Sequence, residues 1–458
     1  MEKQKLTLLS KNETKPDRGS TNTDLVVAEV LKSDSLVAQE TIEVLESENN
    51  QIRDYMKIFG GQSFSLVGSA LVQFALVWWL TFTTGSAVVL SLATMMVILP
   101  QVVISPFAGA LVDRWSRRRV MIASDSLSAA IIVGLSFLWA VDAIQITHVF
   151  LAMAMRSALS SFQWPALQAS ASLMVPKEHL SRVNGMYQVL SGLAKIAAPA
   201  LGALLLVFLP MQFVLMIDVG TAVMAVFPLL LIRIPQPPAE SKADSVTTGV
   251  ISEILEGFAY MKNWKGGRFI TIALMLTNFI LIPTFALTPL LVLLHFSGGA
   301  FELAWIESMM GIGMVLGGIT LGVWGGFRRR MVTALVALLA AAASIFVVGL
   351  APANLIELAI GGMFVAGIMI PIASGSIMAV VQSIVPPKIQ GRVFTVLISV
   401  GPAMTPIGLA IAGAVAESFG IQAWFLLGGV VLALIGIIGS SNRSIMTLGE
   451  IEPDLETD

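Results

Sequence analysis

"GALVDRWSRRRVM", Gly109–Met121, is the stretch that decides how this chain folds. Four arginines fall within six residues of it, between long apolar runs, in a chain of which only 12% of residues are charged. Soluble domains carry roughly 25%. The chain has 458 residues, 56% of them hydrophobic. That is more apolar sequence than one soluble core can use, because single cores stop growing near about 250–300 residues. A lipid bilayer takes up the excess, so the arginine knot reads as a short loop between two membrane helices.

A helix that crosses the hydrocarbon layer needs about 20 mostly apolar residues. Breaking the sequence at Gly, Pro and charge clusters predicts twelve such spans: 58–82, 88–112, 119–141, 146–172, 183–208, 211–232, 268–294, 303–326, 331–351, 354–382, 391–416 and 421–441. With a cytosolic N-terminus, the connections at 113–118, 173–182, 233–267, 327–330 and 383–390 are cytosolic too. Of the 27 Lys and Arg, all but Arg156 and Lys195 then lie in these segments, in the tails or at adjoining helix ends. The opposite connections, among them "TTGSA", "VDAIQIT" and "HFSGGAFELA", hold none. This positive-inside bias predicts a multi-pass protein of the cell (inner or cytoplasmic) membrane with both termini in the cytosol. Trp78, Trp79, Trp139, Trp305 and Trp424 fall near outer span ends, and Trp115, Trp164, Trp264 and Trp324 near inner ones, as an interfacial belt would place them.

The loops repeat. "RRRVM" at Arg117–Met121 recurs as "RRRMV" at Arg328–Val332, and "VPKEHLSRV" at Val175–Val183 recurs as "VPPKIQGRV" at Val385–Val393, at nearly the same offset. Two matches at one offset predict duplicated halves. The layout is a cytosolic extension 1–57, a six-helix bundle 58–232, a cytosolic linker with a surface helix 233–267, a second six-helix bundle 268–441 and a cytosolic tail 442–458. The extension reads either as an amphipathic helix or as a disordered acidic tail. Two parallel six-helix halves with a site between them is a plan of secondary transporters.

The stretch Gly109–Arg118 resembles the loop 2–3 signature of the major facilitator superfamily, with Ser116 where a glycine is usual. Further stretches, "GQSFSLVGSALVQFALVWWLTFTTGSA", "LPQVVISPFAGALVDRWSRRRVMIASD", "MVPKEHLSRVNGMYQ", "EGFAYMKNWKG" and "VPPKIQGRVFTV", resemble its macrolide-efflux branch, over residues 58 to 445. The resemblance implies an all-α fold of twelve transmembrane helices in two pseudo-symmetric halves. It also implies a cytosolic latch of Gly109, Asp113, Arg114, Arg117 and Arg118, with Asp125 and Arg392 beside it, that helps hold the outward-facing state. Asp113→Asn is then expected to abolish transport and leave membrane insertion intact.

Ionisable residues within spans are costly and mark function or a neutralising pair. Arg156, Lys195, Asp218 and Glu307 stand out here. At a rise of about 1.5 Å per residue, the first three lie roughly 10–15 Å from the outer surface, so some can pair. Arg156 resembles the fourth-helix arginine that antiporters of the superfamily use for proton relay, with Ser160 in place of the expected glycine. Arg156, Asp218, Lys195 and Glu307 are therefore the candidates for proton coupling, and a structural ion pair is the plain alternative. Gln73, Gln101 and Asn278 are candidates to line a cavity or to bond neighbouring helices. "GPAMTPIG" at Gly401–Gly408 predicts a broken eleventh span, and Gly313 with Gly317 and Gly318 with Gly322 predict tight packing.

There is no cysteine, and no P-loop, G-x-S-x-G or H-E-x-x-H motif. An enzyme, a metal site, a cofactor and a nucleic-acid partner are thus not expected. The expected partners are a small-molecule substrate, protons and the bilayer, with the chain acting as a monomer. The function expected from the resemblance is proton-coupled export of amphipathic drugs such as macrolides, hence antibiotic resistance. A siderophore or lysophospholipid carrier on the same fold, or a transporter-like sensor, are the alternatives. Ionised, the four intramembrane charges sum to zero, which leaves neutral and anionic substrates open alongside cationic amines.

Overall fold

The computed structural model describes residues 21–235 and 256–448. The chain divides into two compact units, Met1–Asp54 and Tyr55–Asp458. In the first, the described residues are helical throughout. Helix α1 is Thr21–Thr84, and its membrane-length part is Asn50–Thr84.

In the second unit the helices are α2 (Ala87–Arg114), α3 (Arg117–Ala140), α4 (Ile146–Met174), α5 (Lys177–Phe208), α6 (Met211–Leu231), α7 (Lys265–Leu290), α8 (Ala300–Trp324), α9 (Arg330–Leu350), α10 (Ile356–Ile384), α11 (Pro387–Ala403), α12 (Thr405–Phe419), α13 (Ile421–Ser441) and α14 (Arg443–Met446). A short helix at 256–263 precedes α7, which continues through a π-helical turn at Leu291–His295. Of the linker, residues 236–255 lie outside the described part, and the helix at 256–263 buries Met261 against α9 and α10.

Eleven spans among the described residues are long and apolar enough to cross a membrane. α11 and α12 count as one of them, broken at Met404 where the sequence reading placed the break. The twelfth long helix, α4, has 29 residues and falls outside that set because Arg156, Gln163, Gln168 and several serines dilute its apolar surface. It packs between α2 and α3, and its Arg156 and Gln163 find partners on α1, α3 and α6 rather than lipid.

The repeated loops end their helices in the same way. Val175 and Val385 are both extended, and each is followed by a proline, Pro176 or Pro386, that precedes the next helix. A residue before proline is pushed out of the helical region, so "VP" stops both helices. Each valine still donates its N–H back into the last turn, to Ala171 O at 2.9 Å and to Val381 O at 3.0 Å.

The first six spans meet the last six along two related seams, α2 with α12 and α5 with α8. Within the second half, α8 lies on α10 at Gly317, where a Cβ would collide with the carbonyl oxygen of Ile368. Gly313 is equally tight, whereas Gly318 and Gly322 face open space, so only one of the two expected glycine pairs packs.

The hydrophobic core shows how the halves are held. One large cluster, including Phe74, Leu90, Ile280, Ile306, Ala412 and Phe425, joins both halves at the end opposite the arginine loops. At the arginine-loop end, which we call the basic end, the two halves have separate cores, one around Met121, Ala171 and Val183 and the other around Met331, Val380 and Val393. Trp424 belongs to the shared core. It is fully buried and packs on Phe279 with ring centroids 6.1 Å apart, so it is a core residue and not part of an interfacial belt.

Candidate functional site

Between the halves lies a cavity of about 430 Å³. Its walls are chiefly apolar: Phe74 and Val77 from α1, Ala198 and Pro199 from α5, Phe285 from α7, Ile306, Met310 and Met314 from α8, and Met363 and Ile370 from α10. Small residues of α5 make room here, and the seam beside them is tight. Ser308 of α8 donates to the carbonyl of Ile196 at 2.8 Å, and Gly311 lies against Ile196. Three methionines in one wall give it a surface that adapts to ligands of different shape. Into this cavity face one cation and one carboxylate from opposite halves, Lys195 and Glu307, together with Gln73 and Thr288. The arrangement suits an amphipathic molecule of which one end is charged.

A second, polar site lies within the first half. Arg156 of α4 pairs with Asp218 of α6, Nη2 to Oδ2, at 2.5 Å. Ser69 of α1 joins them, accepting from Arg156 at 3.0 Å and donating to Asp218 at 2.9 Å. Asp218 is only 2% exposed, so its charge is compensated by Arg156 and not by water. Asp125 of α3 sits in the same polar cavity, of about 150 Å³. It accepts from the amides of Gln62 and Gln163, both at 2.7 Å, and from the Ser65 hydroxyl at 3.4 Å. Gln163 also donates to the Gln62 carbonyl oxygen at 2.7 Å.

The residues named from sequence thus separate into groups. Arg156 and Asp218 come together, while Lys195 and Glu307 face the central cavity. Gln73 lines both cavities, and Gln101 lines the polar one only. Asn278 bonds its own helix at Leu274 O, 2.9 Å, and lies against Gly401 just before the break in the eleventh span, away from both cavities. Asp125, expected beside the latch, bonds residues within the first bundle. It is 3% exposed, and its carboxylate is turned into the first bundle by hydrogen bonds from Gln62, Gln163 and Ser65.

Of the latch residues, Gly109, Asp113 and Arg114 close α2, and their surroundings lie outside the described part. Arg117 is buried. Arg118 donates to Leu229 O at 2.5 Å and Leu230 O at 2.7 Å, closing the carbonyl end of α6 with a cation as the helix dipole favours. Arg392 pairs with Glu256 of the linker helix.

Sequence reasoning missed Gln62, Ser65, Ser69 and Gln163. The signal was present, since Gln62, Ser65, Ser69 and Gln73 recur every three or four residues and so form one polar stripe on an otherwise apolar helix. Arg156, Ser160 and Gln163 make the matching stripe on α4.

Residues 58–400 match the family model of the Major Facilitator Superfamily. Among curated proteins, macrolide efflux protein A of Streptococcus pyogenes is 32% identical over 394 residues, covering 86% of this chain and 97% of that protein. The multidrug efflux pump Tap of Mycolicibacterium fortuitum is 27% identical over 385 residues, covering 81% and 91%. Among solved structures, a POT family transporter in complex with a thioalcohol-conjugated peptide superposes with a TM-score of 0.67 at 13% identity, covering 86% of this chain and 97% of that one.

Proposed function

The chain belongs to the major facilitator superfamily and is a multi-pass membrane transporter rather than an enzyme, and from that premise we propose that it exports macrolide-like amphipathic drugs in exchange for protons. The observation that carries the reading is the cavity between the halves, apolar, rich in methionine and holding a single carboxylate, Glu307. A macrolide presents a large apolar ring and a cationic amine, and Glu307 meets the amine while the methionines and phenylalanines cover the ring. The relatives named for macrolide and multidrug efflux support the same substrate class.

Alternating access follows by rocking the halves about the seams α2–α12 and α5–α8. The separate cores at the basic end support an arrangement open on that side. With the positive-inside bias, that side is the cytosol, so the cavity would load from the cell interior. Exchange for protons is supported by the carboxylates and Arg156 in the first half, whose preferred conformation changes when a proton binds.

Lys195 favours a second reading, because a cation in the cavity wall accepts the phosphate of a lysophospholipid or an anionic siderophore. Inside-out vesicles with an acidic interior separate the two. Macrolides, lysophospholipid and a siderophore are added in turn and proton release is followed with a pH-sensitive dye. Release by macrolides alone is expected. Release by the anionic compounds alone transfers the function to them, and silence from the folded protein across the panel removes proton-coupled export.

A further inference from the structure

The polar cavity of the first half has a charge inventory that does not balance. Three ionisable side chains line it, Asp125, Asp218 and Arg156. Arg156 is committed to Asp218 and Ser69, which makes that group neutral. Asp125 receives hydrogen bonds from neutral donors only, two amides and one hydroxyl. On α1 and α2 the polar groups that bond it or share its cavity are Gln62, Ser65, Ser69, Gln73 and Gln101, none of them ionisable, and the charged groups are Arg156 on α4, already paired, and Asp218 on α6, a like charge. With both carboxylates ionised the cavity therefore carries one uncompensated negative charge at membrane depth, and a single bound proton removes it.

We propose that Asp125 is the residue that carries the coupling proton, with the Arg156–Asp218 pair as the fixed neutral half of the site. This rests on the proton-exchange reading above and names the group that performs it. The amides of Gln62 and Gln163 suit the task, because a carboxamide offers N–H donors to the ionised acid and, turned over, a carbonyl oxygen to the protonated one. Both protonation states are satisfied without moving the backbone. The proton comes from water, bonds to an Asp125 carboxylate oxygen and leaves to water, and no other bond changes.

The position also fits. Ser65 and Gln163 line a further cavity, of about 180 Å³, that reaches Trp164 and Tyr187. Gln73 is shared between the polar cavity and the central one. Asp125 thus lines a cavity that shares one wall residue, Gln73, with the central cavity.

The test uses the full chain in proteoliposomes, as wild type, Asp125→Asn and Asp125→Glu. Two transport modes are compared, accumulation of a macrolide driven by a pH gradient and counterflow of macrolide with no gradient, which moves drug without net proton transfer. Asp125→Asn is expected to lose driven accumulation by about ten-fold or more and to keep counterflow near the wild-type rate, with Asp125→Glu restoring the driven mode. Infrared difference spectra of substrate-free protein between acidic and alkaline buffer add a readout that needs no drug. A protonated-carboxyl band present in wild type and absent in Asp125→Asn is expected.

That band together with no macrolide transport by wild type would place the failure in the drug-export reading and uphold the proton site. A band unchanged in Asp125→Asn overturns the proposal, as does wild-type driven accumulation in that variant. An equal fall of both modes in folded Asp125→Asn would show a structural role only and also overturns it. A sodium gradient that drives wild-type accumulation in place of the pH gradient replaces the proton with a metal cation on the same oxygens and overturns it too.

Discussion

Glu307 and Lys195 face one apolar cavity from opposite halves, and on the proposed reading they set which charge a substrate can bring. Glu307→Gln keeps the shape and removes the carboxylate. A charged hydrogen bond is worth about 1.5–3 kcal/mol, so the variant is expected to raise the KM for a cationic macrolide about ten-fold or more, while a neutral analogue is transported as before. Drug-uptake kinetics in inverted vesicles check this, and an equal loss for both compounds would remove the charge argument. Arg156 and Asp218 make a different case, because each neutralises the other where burial leaves little water to do so. Removing one partner of such a pair costs about 3–5 kcal/mol, and removing both costs much less. Arg156→Leu or Asp218→Leu alone is expected to lower the melting temperature in detergent, and the double variant to recover most of the loss. Additive losses would show that the pair is not coupled.

At the scale of elements, the two helix seams join the halves in different chemistry. At the α5–α8 seam the contact is close backbone packing around Ile196, Ser308 and Gly311. At the end opposite the basic loops, Glu417 of α12 accepts from the Ser86 hydroxyl at 2.6 Å and from Val88 N–H at 3.2 Å. A carboxylate from one half thereby closes the start of α2 in the other, where the helix dipole favours negative charge. This contact must break whenever that end opens. Glu417→Gln weakens it by about 0.3–1 kcal/mol. The chain contains no cysteine, so a single cysteine introduced at Phe285 in the central cavity reports access cleanly. An impermeant maleimide added at that end is expected to label Glu417→Gln several-fold faster than the parent. An unchanged rate would mean that the carboxylate does not restrain opening.

For the molecule as a whole, a shared core at one end and separate cores at the other are what the proposed alternating access asks of a state open at the basic end. Bistable packing, rather than gradual bending, is how such interfaces move. Ser172 at the end of α4 and Gln382 at the end of α10 are exposed, each three residues before the valine of a "VP" stop. Spin labels at these positions are expected to approach each other when the drug and a pH gradient are supplied. Labels near Ser86 and Glu417 are expected to separate at the same time. Distances that stay fixed under every condition would exclude rocking of the halves.

Sequence alone determined the spans, their stops, the duplicated loops and the break in the eleventh helix. Each of these depends on local composition, since lipid accepts any sufficiently apolar helix and proline or an arginine knot ends one wherever it falls. It also identified Arg156, Asp218, Lys195 and Glu307 as the costly residues, because charge at membrane depth is unusual whatever surrounds it. Only the tertiary structure decided that Arg156 and Asp218 meet, that Lys195 and Glu307 face the central cavity, that Trp424 is core, and that Asp125 bonds Gln62 and Gln163. Those outcomes depend on the rotation of each helix about its own axis. Packing against neighbours sets that rotation, and a turn of one residue, about 100° at 3.6 residues per turn, moves a side chain from bundle interior to loop or lipid.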